Sequence, residues 1–93
     1  MEPSLLRYAI LQLLQQHEAT GSSAFLDDTV MAERLNVPLL HVQRQLVILE
    51  DHELVALASA FGPSHTAELT PKGMEALEAA AAIAPGDSRK IGF

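Results

Sequence analysis

The sequence predicts an α+β domain that is mainly α: a three-helix core, a two-stranded hairpin and a fourth, C-terminal helix. Three features carry that expectation. Val42, Leu46 and Leu49 fall at i, i+4 and i+7, which makes one apolar stripe on a helix. Asn36-Val37-Pro38 interrupts the helical spacing on either side of it. Asn accepts the left-handed conformation that follows a helix end, and Pro38 disfavours helix at Val37. Residues 54–69 hold two short runs around Phe61-Gly62-Pro63-Ser64, which is turn chemistry between strands. With 93 residues, 48% of them apolar, the chain is sized for one core without metal or disulfide. The expected division is one domain over residues 1–84 and a loose tail over 85–93.

Taken in order, Ser4 is the expected N-cap of the first helix, which runs to about His17. Leu6, Ile10, Leu13, Leu14 and His17 mark its inward side. Tyr8 and Leu11 lie elsewhere on it, so they belong either to a broadly buried core helix or to a seam between two copies. Ala19 to Ala24, with Thr20-Gly21-Ser22-Ser23, is a polar connection. Phe25-Leu26 is the expected first strand. Asp27 or Asp28 caps a second helix over roughly 28–35, and both carboxylates suit its positive end. Ala32 and Leu35 share one face of that helix. Pro38 fits the first turn of the third helix, which ends near His52. Leu40, Gln43, Arg44 and Val47 are expected on its outward side.

Leu54 to Ala60 and His65 to Leu69 are the two hairpin strands. Thr70 is the N-cap of the last helix and Pro71 its first residue. Met74, Leu77 and Ala81 share a face there, and the small side chains of Ala79 to Ala84 allow close helix approach. Pro85-Gly86-Asp87 ends the helix. No internal repeat occurs.

The stretch Ala32-Glu33-Arg34-Leu35-Asn36-Val37-Pro38, continued by His41-Val42-Gln43-Arg44-Gln45-Leu46, Leu49-Glu50 and Leu54-Val55, resembles the helix-turn-helix of winged-helix transcriptional regulators. The arsenic-repressor, multiple-antibiotic-resistance and phenolic-acid-regulator types are all similar. Leu69-Thr70-Pro71-Lys72-Gly73 is similar to the L-T-x-x-G string that follows the wing in many of them. The resemblance covers roughly residues 5–80. It implies a winged helix whose third helix enters the DNA major groove. The groove-facing positions would then be Leu39, Leu40, His41, Gln43 and Arg44, with Arg34 and Arg7 reaching the backbone. It also implies a homodimer through the first and last helices. Such regulators often carry glycine where this chain has Glu53; glycine relieves strain if the dihedral is left-handed.

Composition pulls the other way. Six Lys and Arg stand against twelve Asp and Glu, giving a net charge of −6. A DNA-binding domain usually has a basic face. Residues 54–69, the expected wing, contain no Lys or Arg, and Arg89 and Lys90 sit in the tail. Arg44 can pair with guanine and Gln43 with adenine. With ~3 phosphate contacts per protomer, a dimer would show a log–log salt slope near −5. The apolar outward positions Leu40 and Val47 suit a protein partner better than phosphate. Val47 and Ile48 also have a purely structural reading, as packing under the wing or against the first helix.

Two function classes therefore stay open: first a dimeric winged-helix DNA-binding transcriptional regulator that reads the major groove with the helix near residues 39–52, since most helix-turn-helix sequences bind DNA, and as the alternative a winged-helix protein-interaction module without DNA binding. Enzyme chemistry is not expected. Ser22, Ser23, His17 and Asp27 are triad ingredients by type alone, and no nucleophile elbow or glycine-rich oxyanion loop occurs. No metal is expected either: cysteine is absent, and His41 and His52 lie about three helical turns apart. No phosphate-binding glycine loop implies a nucleotide cofactor. With no basic-then-apolar leader and no apolar run near the ~20 residues of a membrane span, a cytoplasmic protein is expected.

Overall fold

Pro3, not Ser4, begins the first helix, α1 (Pro3–Ala19). The computed structural model describes residues 2–20, 25–58 and 65–81. Proline suits a first helical position because its missing N–H would have no partner there. Ser4 is inside the first turn, and its hydroxyl donates to Glu2 Oε1 at 2.9 Å instead of capping. Leu6, Ile10, Leu11 and Leu14 are buried. Leu11 is therefore core and is removed from any seam between copies. It is buried because α1 packs against α3 on one side and against α4 and β3 on others, which covers more of the helix than one stripe. Leu13 is only partly buried, as is Tyr8 at the core edge. His17 is also partly buried, with Nε2 3.1 Å from the Phe25 carbonyl oxygen.

Strand β1 is Leu26–Asp27, one residue later than expected, because it is Leu26 that turns inward while Phe25 is exposed. Helix α2 (Asp28–Leu35) follows directly. Asp27 is its cap: the side chain accepts from Thr29 N at 2.9 Å and from the Thr29 hydroxyl at 2.7 Å. Asn36 closes the helix with φ 54° and ψ 48°. Its amide donates to the Glu33 carbonyl at 3.2 Å and the Val37 amide to Ala32 at 3.1 Å. That pair of bonds, closing around a left-handed residue, satisfies carbonyls the helix leaves open. Pro38 caps α3 (Leu39–Asp51) from just outside it, one residue before its expected place. Val42, Leu46 and Leu49 are fully buried, as their spacing requires.

The exit from α3 repeats the device. The Glu53 amide donates to Glu50 at 2.8 Å and the Leu54 amide to Leu49 at 2.9 Å. Glu53 takes the left-handed role, with φ 62°. Strands β2 (Val55–Ala58) and β3 (Thr66–Leu69) pair antiparallel, Val55 opposite Leu69 and Ala58 opposite Thr66. β1 joins the far side of β3, Leu26 opposite Ala67, so the sheet has three strands in the order β1-β3-β2. α4 (Pro71–Ala81) begins as expected, with Thr70 Oγ1 accepting from the Gly73 amide at 3.0 Å. A Cβ on Gly73 would run into the carbonyl oxygen of Leu54, so this helix start approaches the chain entering β2 as closely as a backbone can. Leu77 and Ala80 are buried and Met74 partly so.

The result is a mainly helical α+β domain with four helices and a small three-stranded antiparallel sheet among the described residues. No described helix is long and apolar enough to cross a membrane. The polar connection at 21–24, the ends of the hairpin strands and its turn at 59–64, the last turn expected in the fourth helix and the tail lie outside the described residues.

Candidate functional site

Helix geometry decides what α3 shows to solvent. At 3.6 residues per turn, the stripe Val42–Leu46–Leu49 leaves Leu40, Arg44, Val47, Ile48 and Asp51 on the opposite side. Leu40 is 54% exposed, Val47 50% and Ile48 37%. Neither Val47 nor Ile48 is buried under the hairpin or α1. Arg44 and Asp51 are exposed, and neither makes a hydrogen bond or ion pair among the described residues. His41 is exposed near the start of the helix, and Leu39 is 37% exposed.

The flanks of α3 are engaged in holding the domain together. Gln43 is half-buried, and its Nε2 donates to Asp28 Oδ2 at 3.0 Å. Its amide faces the core of the domain and not the groove-reading position expected of it. On the other flank Gln45 Oε1 accepts from Arg7 Nη1 at 2.6 Å, which ties Arg7 to α3. The remaining cations among the described residues are Arg34, exposed in the last turn of α2, and Lys72, which lies 3.5 Å from Glu53. Of the expected DNA-contacting set, Leu39, Leu40, His41 and Arg44 share the open part of α3. Arg34 stands on the adjacent helix, and Gln43 points away.

Asp28 is the residue that the sequence reading missed. It is the one buried charged-type side chain among the described residues, with 0% exposure. Its Oδ2 accepts from Gln43 and also from the His65 amide at 3.1 Å, while its own amide donates to the His65 carbonyl at 2.9 Å. Oδ1 has no hydrogen-bond partner among the described residues. One carboxyl thus joins α2, α3 and the start of β3. A signal for this existed: Asp28, Met31, Ala32 and Leu35 lie at the spacing of a single helix face, which places Asp28 on the inward stripe. Its neighbour Asp27 is held below the usual aspartate range. The Thr29 hydroxyl is the main cause and the Thr29 amide the next; burial opposes them, and the Asp28 side chain adds a lesser lowering.

Little else among the described residues offers chemistry. An open hollow of about 450 Å³ lies at the α2–α3 corner, lined by Ala32, Glu33, Asn36, Val37 and Pro38. It holds one carboxylate and no second polar side chain beyond Asn36. No three His, Cys, Asp or Glu side chains converge on a metal-sized site among the described residues. Against protein-family models, curated proteins and solved structures, the chain gives no match.

Proposed function

We propose that this chain is a winged-helix domain that uses the outward face of α3 to bind protein. The fold reading is supported by the order helix, strand, two helices joined at a left-handed Asn36, hairpin and final helix, and by β1 adding to the hairpin edge. The protein reading rests on one observation: Leu40, Val47 and Ile48 are exposed together on the outward face of α3. Covering apolar area is favourable by ~25 cal/mol per Å². Phosphate and sugar cannot supply that cover.

DNA binding is the second reading. The left-handed corner ahead of α3 favours it, as do exposed Leu39, Leu40, His41 and Arg44 in its N-terminal half. A homodimer through α1 and α4 would accompany it, with exposed Leu5 the apolar residue available on α1. Charge weighs against this reading. Among the described residues, Arg34 and Arg44 are the Lys or Arg side chains not engaged with another side chain, and two such phosphate contacts give little affinity at physiological salt.

Two measurements separate the readings. Fluorescence anisotropy with random duplex DNA at low salt is expected to show no binding for the intact protein. Binding that Arg44→Ala weakens would put DNA first. A photo-crosslinking residue at Val47 is expected to form protein adducts in cells that Ile48→Asp removes, while the same probe at exposed Glu75 forms none. Equal adducts at both positions would sink the protein reading.

A further inference from the structure

We infer that the partner of the α3 face is a second copy of the same face, packed antiparallel across a twofold axis between Val47 and Ile48. This rests on the protein-binding reading of α3 and names its occupant. The basis is self-complementarity. Arg44 and Asp51 lie seven residues apart, about 10 Å along the helix and on nearly the same line. Val47 and Ile48 sit midway between them, to either side of that line. A twofold axis at this midpoint brings Arg44 of each copy against Asp51 of the other, twice. It also sets Val47 against its own counterpart and Ile48 against its own. Opposite charges flank an apolar centre, and each charge meets its complement only when the helices run antiparallel. Both charged side chains are exposed and unengaged among the described residues, so no existing contact must break.

Leu40 extends the apolar strip toward the far end of the partner helix. His41 and Glu50 lie off the line, at its margins, and place no like charge on the axis. A protein partner of other composition would need a matching acid and base at this spacing; the second copy has them by construction. The contact is one helix wide, and interfaces at the small end, under ~1,200 Å², are weak. A contact of this size is expected to form a reversible dimer. Pairing covers Arg44, so a paired molecule presents no cation from α3 to any other partner.

Sedimentation equilibrium of the full chain from micromolar to millimolar concentration tests this. The mass is expected to rise from one copy toward two. Arg44→Asp alone sets carboxylate against carboxylate at both ends of the contact, and is expected to weaken pairing at least tenfold. Arg44→Asp combined with Asp51→Arg exchanges the two charges and restores it. Ile48→Asp abolishes it. The three side chains altered are exposed, and circular dichroism is expected to be unchanged in each variant. A single-copy mass at every concentration overturns the second copy while leaving the Val47 crosslinking result to decide the protein reading. A dimer indifferent to Ile48→Asp, or a double exchange no better than Arg44→Asp alone, places the contact elsewhere and also overturns the inference.

Discussion

Glu53 holds a backbone conformation that side chains with a Cβ rarely adopt, at φ 62°. The left-handed region costs a non-glycine residue roughly 1–2 kcal/mol. The Glu53 side chain offsets little of that, since its ion pair with Lys72 is solvent-exposed on both sides and such pairs contribute ~0–1 kcal/mol. Glu53→Gly is therefore expected to stabilise the domain by about 1 kcal/mol, less the chain entropy glycine adds to the unfolded state. Urea unfolding would read it as a higher midpoint at unchanged slope; a lower midpoint would mean that the Lys72 contact outweighs the strain. The resemblance pointed to this position, since similar regulators often carry glycine there, but it left a tolerated strain and a different exit to the strand both open; the positive φ decides for strain. Asp28 was harder to see. Two adjacent aspartates before a helix fit a cap equally well by type, and only the cap geometry assigns Asp27 to solvent and Asp28 to the core. The periodicity that includes Asp28 with Met31 and Leu35 carried the answer, but a carboxyl on an apolar stripe is a poor prior.

The first turn of α2 is the element whose stability titrates. Asp27 accepts two hydrogen bonds from Thr29, and these keep its carboxyl charged to lower pH than in the unfolded chain. The folded state thus binds this proton less readily than the unfolded state. Its contribution is fully present above the ordinary aspartate range and is lost as pH falls through that range to the depressed folded value. Asp27→Asn keeps an acceptor for the Thr29 amide but removes the titration. Stability of Asp27→Asn is expected to fall less steeply than that of the unaltered chain over that acid window, with a loss of a few tenths to about 1 kcal/mol at neutral pH. Parallel acid limbs for the two proteins would show that Asp27 carries none of the pH dependence. Other elements were legible to within a residue or two because their signals are local. Thr70-Pro71 starts α4 where cap and proline chemistry require, and Asn36 ends α2 by the same logic. Leu11 was left between core and seam because helical spacing shows one stripe; its burial in the core follows from α1 being covered by α3, α4 and β3 together. How many neighbours a helix has is a tertiary property.

At the scale of the whole molecule, the net charge of −6 makes the two readings of α3 respond to salt with opposite sign. For scale, two copies are set with centres about 23 Å apart, the smallest extent of the molecule and so the case of strongest repulsion. Treated as point charges in water, they repel by roughly 6 kcal/mol with no salt present. At 0.01 M salt the ~30 Å screening length removes about half of this, and at 0.15 M the ~8 Å length removes nearly all of it. The two exposed Arg44–Asp51 pairs lose strength as well, but such pairs are worth only ~0.2–1 kcal/mol each. Screening of the repulsion therefore wins, and the apolar centre at Val47 and Ile48 is insensitive to it. Self-association is expected to tighten tenfold or more between low and physiological salt, measured by sedimentation equilibrium at fixed protein concentration. Binding to duplex DNA must go the other way, because each phosphate neutralised by a cation releases counterions and so loses affinity as salt rises. Which sign governs α3 was not legible from the residue list, since it depends on which of six cations remain open once Arg7 is joined to Gln45 and Lys72 to Glu53. An association of the free protein that weakens steadily with salt would mean that charge, not the exposed apolar centre, holds the copies together.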